Sequence, residues 1–436
     1  MGIVRSVLRV AALISLLAGG AAAQEHQHPA PVVDHSQHAG RGEAGLFAAR
    51  DASGTSWLPE QTPMLGLHRS AGGWEVMVHG NLFAQFLYEG GEVHRRSHQA
   101  GSINWLMGMA RRRAGDGHVG LRAMVSAEPW TIPGCGYPDL LATGENCDGD
   151  SIHDRQHPHD LFMELAADYA RPLGGGMRWQ LYAGMAGEPA LGPPGFPHRV
   201  SAFPNPLAPI GHHWLDATHI TFGVITTGIA GRTWNLEASA FNGREPDEQR
   251  YDLDLAAPDS VSARLTLAPS SSVVMQVSAG HLNDAESHAS LPRTDVTRAT
   301  ASVTLHRPVR AGVPFGARNA WATTLAWGVN IETAEATHAA LMESSYATPA
   351  GHTFFGRLEI VGKPAHDLHV HESTDVFAVG KLQLGYTRYL EPRRGIDVGI
   401  GGSVSASAVP ASLGPRYGGR VIPGFGLFLT LRPEAK

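Results

Sequence analysis

Between Cys135 and Asp160 the chain concentrates side chains suited to metal and acid–base chemistry. Its only two cysteines, Cys135 and Cys147, precede the run His153, Asp154, Arg155, Gln156, His157, Pro158, His159, Asp160. Imidazole and carboxylate this close together are ligands for borderline divalent metals, or the base and orienter of an acid–base pair. Pro158 biases the residue before it toward extended backbone. His157 and His159, two apart, are therefore expected to project to one side as a bidentate pair. Asp154 or Asp160 would complete the shell or orient an imidazole from outside it. The competing expectation is an ordered polar loop, with His and Asp capping backbone groups and Arg155 paired to a carboxylate.

Two further clusters repeat the pattern. One is His212, His213 and His219, preceded by Pro204-Asn205-Pro206-Leu207-Ala208-Pro209, a stiff loop able to fold inward. Its alternative reading is a Trp and His belt at a membrane boundary. The other is His366, Asp367, His369 and His371. Near the start, His26, His28, His35 and His38 sit in a polar tract whose composition suits weak, multidentate binding of copper or another divalent transition metal. The acidic stretch Asn242 to Glu248 is expected to be solvated. No nucleophile elbow, phosphate loop or zinc-protease helix motif appears in the sequence.

Something must position these clusters. Residues 1–23 have a signal-peptide pattern: Arg5 and Arg9, an apolar run from Ala11 to Leu17, and Ala21-Ala22-Ala23 before Gln24. Residues 24–45 are expected to be a disordered His-rich leader, and 46–73 a periplasmic N-terminal segment or plug. No later stretch holds the roughly 20 apolar residues of a membrane helix. A net charge of -6 carries no basic surplus, which argues against nucleic acid as a partner. In an exported chain Cys135 and Cys147 are expected to form a disulfide, the alternative being a thiolate metal site.

From Trp74 to the end, hydrophobicity alternates with period two. Val119, Leu121, Ala123 and Val125 face away from Arg122 and Met124; Leu161, Met163, Leu165 and Ala167 face away from Glu164 and Asp168. Such strands have one apolar and one polar face. Short turns alternate with long polar connections, the signature of an outer-membrane barrel. The expectation is an all-β transmembrane barrel over 74–436, with about 14–16 antiparallel strands and outer-membrane lipid as its surroundings. The span from Ala311 to Ala350 leaves the strand number open. On the polar face, Arg122, Glu128, Glu164, Arg178, Glu237, Arg264, Glu359 and Lys381 are expected in the lumen, partly closing it by ion pairs.

Ser53-Gly54-Thr55-Ser56-Trp57-Leu58-Pro59, Gly101-Ser102-Ile103-Asn104-Trp105, the run from Asp154 to Leu165, Ala202-Phe203-Pro204-Asn205-Pro206, Asp216 to Gly223 and Phe241 to Pro246 together carry a resemblance. The chain resembles a family of uncharacterised proteobacterial exported, outer-membrane proteins, which implies a compartment and no particular activity. In layout, a His-rich leader before a barrel is also similar to the copper-resistance protein B family, without that family's repeated methionines. The expected function is an outer-membrane barrel that binds or passes a transition metal, copper foremost. The alternatives are a barrel-embedded hydrolase using a loop histidine and a lumen carboxylate, or a porin-like barrel without metal.

Overall fold

The computed structural model describes residues 50–62, 65–286, 294–313, 316–332, 335–370 and 372–434. The proposed signal peptide, His26, His28, His35, His38 and His371 lie outside the described residues.

The chain forms β1 (Leu67–Ala71), β2 (Trp74–Glu89), β3 (Ser97–Ala114), β4 (Gly117–Val125), β5 (Tyr137–Cys147), β6 (Asp150–Gln156), β7 (Phe162–Gly174), β8 (Met177–Gly187), β9 (Thr221–Ala230) and β10 (Trp234–Asn242). It continues with β11 (Ser260–Ser270), β12 (Val273–Glu286), β13 (Thr294–Arg307), β14 (Ala320–Glu332), β15 (Glu335–Ala347), β16 (His352–Pro364), β17 (Val376–Tyr389), β18 (Ile396–Ala408) and β19 (Val421–Pro433). Sixteen of these strands make a closed antiparallel barrel. The last, β19, pairs with β2 from Leu431↔Leu82 to Gly424↔Glu89, so neither terminal strand is left as an open edge. Closure satisfies every ladder within the wall, which a membrane-spanning sheet requires. The short β1 pairs with the opening of β2, and β5 and β6 form a separate hairpin outside the wall.

Period-two patterning decides the faces. Leu236, Val261, Val277, Leu325, Leu384 and Leu427 are exposed on the outside, while Arg264, Glu343, Arg357, Glu359 and Lys381 are buried within. The alternation of connections also holds, with one exception that explains the open strand number. Between β13 and β14 the connection is long and lies at the otherwise short-turn end. β14 and β15 are separated by only two residues, at the long-loop end.

One strand departs from strict alternation. Between β4 and β7 the register shifts, with Met124 opposite Glu164 and Val125 opposite Phe162. Met163 is the extra residue of this bulge. It is buried inside rather than on the apolar outer face to which alternation assigned it.

The lumen is occupied by the connection between β8 and β9. Within residues 188–220 only His198 and Ala217 are less than buried. This segment has no sheet partner, so its backbone groups must be satisfied another way. The polar wall supplies them from all sides. Ser239 Oγ accepts from Ala190 N at 2.7 Å, Ser278 Oγ from Gly192 N at 2.8 Å, and Glu359 Oε1 from Gly211 N at 3.0 Å. Asn81 donates to Phe203 O at 3.1 Å, Ser345 to Val200 O at 2.9 Å, Arg357 to Leu207 O at 2.8 Å and Asn330 to His213 O at 3.1 Å. These partners sit on β2, β10, β12, β14, β15 and β16, so the loop crosses the barrel from wall to wall. Residues 50–62 also enter the interior, where Trp57 packs on Ala230 and Val274 and Arg122 donates to Gly54 O at 2.6 Å.

Candidate functional site

A Cys135–Cys147 disulfide, with Cα atoms 5.7 Å apart, ties the end of β5 to the residues leading into the β5–β6 hairpin. The hairpin delivers residues 157–160 to a small cavity of about 30 Å³ on the long-loop side of the barrel. The inserted loop supplies the opposite face through two short helical turns, His212–Leu215 and Ala217–His219. The first and second histidine clusters therefore meet.

Three imidazoles pack around the ring of Phe196: His159 at 5.7 Å, His212 at 5.4 Å and His219 at 5.6 Å between centroids. His219 is central, 5.4 Å from His159 and 5.0 Å from His212. Each uses Nδ1 on an oxygen: His159 on Glu128 Oε1 at 2.9 Å, His212 on Asp216 Oδ1 at 2.9 Å, and His219 on Asp216 O at 2.8 Å. A carbonyl can only accept, and an ionised carboxylate likewise, so each Nδ1 carries the proton and each Nε2 the lone pair. In His219 that Nε2 is buried without a partner. Burial lowers the pKa of His212 and of His219, keeping both neutral. Burial alone would raise Asp216, but Arg199 and His212 overcome it and hold the carboxyl well below the usual range.

His157 and His213 are placed differently. His157 Nε2 lies 3.2 Å from Glu145 Oε1, and His213 Nδ1 lies 2.7 Å from Glu245 Oε1. The remaining His213 Nε2 backs onto Gly144, where a Cβ would come within 2.1 Å of it. That close approach is possible only because Gly144 has no Cβ, and His213 Nε2 is buried there without a hydrogen-bond partner. The expected bidentate pair of His157 and His159 is not formed, because each imidazole is drawn to a different carboxylate.

Other expected residues are spoken for elsewhere. Asp160 accepts from Arg250 at 3.3 Å, and Arg250 also pairs with Glu145. Asp154 pairs with Arg95 and accepts from Leu141 N at 2.9 Å. The third cluster stays apart from the cavity. His153 stacks against His369 at 3.8 Å, His369 Nε2 lies 3.1 Å from Ser151 O, and His366 sits 3.2 Å from Asp367.

Among the described residues, the groups of three ligand atoms within 4.8 Å of one another are Cys135–Cys147–Asp148 and Asp247–Asp252–Asp254. The first contains the disulfide sulfurs. Neither includes an imidazole, so His159, His212 and His219 must move closer together to share one ion.

On the wall, Arg122 pairs with Asp168 at 3.3 Å and faces Glu164 at 3.8 Å. Arg264 pairs with Glu237 at 3.2 Å, and Lys381 bridges Glu89 at 2.7 Å and Asp139 at 2.6 Å. Arg178 lies over Trp57, 5.7 Å from its centroid. Glu128, assigned to the wall by sequence, instead sits buried on a short helical turn between β4 and β5, because Pro129 ends the strand pattern and starts the turn. Glu245 is likewise not a solvated loop acid; it holds His213. Sequence reasoning missed Glu145, Glu245, Arg250 and Phe196. Only Asp216 carried a local signal, four residues after His212 and so one helical turn away.

A closed sixteen-strand barrel, apolar outside and charged within, is an integral protein of the bacterial outer membrane. Its architecture is that of the porins. It is similar to the anion-selective porin of Comamonas acidovorans, with a TM-score of 0.50 and 10% identity over 82% of this chain and 99% of that one. It is similar also to OmpF of Salmonella typhi, solved in complex with daunomycin, with a TM-score of 0.52 and 8% identity over 84% and 100%. At such identities the likeness concerns the fold. It lends no support to the layout resemblance to the copper-resistance protein B family. No protein-family model and no curated protein matches the chain.

Proposed function

We propose that this porin-like barrel binds a divalent transition-metal ion, copper foremost, at His159, His212 and His219, where the inserted loop meets the outer mouth. The observation that carries the reading is the shared arrangement of the three imidazoles. All hold Nδ1 on an oxygen, all pack on Phe196, and the buried Nε2 of His219 has no partner. An oxygen behind an imidazole fixes its tautomer and strengthens it as a ligand. Asp216 links the site to the barrel, since it holds His212 and also pairs with Arg199, which reaches Glu343 on β15. Drawing the imidazoles onto an ion therefore pulls on the loop that fills the lumen, which couples occupancy to passage.

Calorimetry on the refolded barrel lacking residues 24–45 tests this. Affinity should follow copper over zinc over manganese, the intrinsic order for nitrogen ligands. It should hold through the ordinary histidine value of about 6.5 and fall only at lower pH, because burial keeps His212 and His219 neutral until then and protons compete for the lone pairs only below that point. The double change His159→Ala and His219→Ala should remove the site. Unchanged copper binding in that variant would refute the assignment.

The fold likeness favours a second reading, a porin-like conductor without metal function. A steady conductance in planar bilayers, indifferent to copper and to the same double change, would support it instead.

A further inference from the structure

On the side of the lumen formed by β2, β3, β4 and β7, the interior is lined by sulfur. Met77, Met107, Met109, Met124 and Met163 pack in one cluster with Trp105 and Phe203. The other described methionines, Met177, Met185, Met275 and Met342, are exposed on the lipid face. Two imidazoles enter this nest, His79 from β2 and His198 from the inserted loop, with ring centroids 5.6 Å apart. His198 Nε2 lies 3.4 Å from Met124 Sδ, and the buried His79 Nε2 has no hydrogen-bond partner.

We infer that Met124 and His198, with His79 and Met163 beside them, form a second site inside the barrel, selective for a soft monovalent cation such as copper(I) or silver(I). Thioether sulfur prefers such ions to hard divalent ones. At the lengths of a small tetrahedral ion, about 2.0 Å to nitrogen and about 2.3 Å to sulfur, the two ligand atoms stand about 3.5 Å apart, and the larger silver(I) ion needs them somewhat farther apart. The nitrogen and sulfur already stand at 3.4 Å. Trp105 lies 5.0 Å from the His198 ring and 5.2 Å from the His79 ring, so both imidazoles pack against an aromatic side chain. Methionine also serves as plain packing material. An N–H···S hydrogen bond from His198 to Met124 would explain that contact without an ion, but it leaves the buried His79 Nε2 unpartnered among the thioethers.

The site uses none of the residues assigned to the divalent ion at the mouth, so either can fail without the other. The test titrates silver(I), which needs no reductant, into the full-length refolded protein with excess zinc present. X-ray absorption at the silver edge then identifies the ligand atoms. Expected are one tight equivalent with sulfur and nitrogen in the shell, at least tenfold weaker binding in Met124→Leu and in His198→Gln, and no change in His159→Ala with His219→Ala. A shell of nitrogen and oxygen alone overturns the inference. So does silver affinity within twofold of wild type in both Met124→Leu and His198→Gln. Should a variant not refold, the wild-type shell decides.

Discussion

Arg199 of the inserted loop donates from Nε to Glu343 Oε1 on β15 at 2.6 Å, and both side chains are buried. The same guanidinium pairs with Asp216 and donates to Pro194 O at 2.9 Å. Glu343 in turn accepts from Arg357 at 3.1 Å and from Ser201 at 2.9 Å. This network, rather than a ladder of strand hydrogen bonds, fixes the loop across the lumen.

Removing one partner from a buried charge network leaves the others uncompensated, at a cost of about 3–5 kcal/mol. Arg199→Met should therefore free the loop while the wall persists. The expected outcome is protease cleavage within residues 188–220 and a larger bilayer conductance, with detergent-resistant migration of the barrel retained. A loop as protected as in wild type would show that the clamp contributes little.

Lys381 presents a second clamp, between the wall and the β5 hairpin. Lys381→Met strands Glu89 and Asp139 and should destabilise the hairpin by a similar about 3–5 kcal/mol. Adding Glu89→Gln and Asp139→Asn should recover much of it, since the buried charges are then gone. Thermal melts of the three proteins give the comparison. A triple variant no more stable than Lys381→Met would rule out charge as the cause.

Acid should loosen the loop. Burial holds His157, His198, His212 and His219 below the ordinary histidine value of 6.5. A lowered folded pKa means that the released state binds protons first as pH falls. The stabilisation is therefore complete above pH 6.5 and is lost progressively as pH drops below it. Each histidine gives up about 1.4 kcal/mol for every pH unit between its released and folded pKa values. Conductance or proteolysis followed from pH 7.5 to 5 should rise. A flat profile would contradict the burial argument.

The disulfide should matter locally. Cys135→Ser with Cys147→Ser releases a loop of sequence separation 12 and should cost about 3 kcal/mol in the chain-entropy model. Because β5–β6 leads into His159, metal affinity at the mouth should weaken too. The barrel melt, carried by the sixteen-strand wall, should stay unchanged. In wild type, denaturation without reductant should expose no thiol.

Orientation has its own measurement. A cysteine at Asp252, in the exposed long loop after β10, should react with an impermeant reagent on intact cells, whereas one at Gly175, in the tight turn after β7, should not. Equal labelling would invert or abolish the assigned topology.

The histidine pocket was legible in the sequence as residue types and only partly as partners. His157 to Asp160 and His212 to His219 stood out because ligand-type residues crowd together there. Their sorting did not, since Glu128, Glu145 and Glu245 come from three separate stretches, and each takes a different imidazole. Of the methionine nest, the alternation placed Met124 on the lumen face beside Arg122 but not Met163. Met163 carries an outward-facing assignment in strict alternation, and only the bulge opposite Val125 turns it inward.

By itself the sequence determined the barrel wall, its two faces, the alternation of short and long connections, and the cysteine pair. All of these follow from period-two patterning or from spacing along the chain, which are local properties. The tertiary structure alone decided that residues 188–220 fill the lumen. An irregular segment can be buried only where groups on distant strands satisfy its backbone, and Ser239, Ser278, Asn330, Ser345, Arg357 and Glu359 become those partners only when the sheet closes.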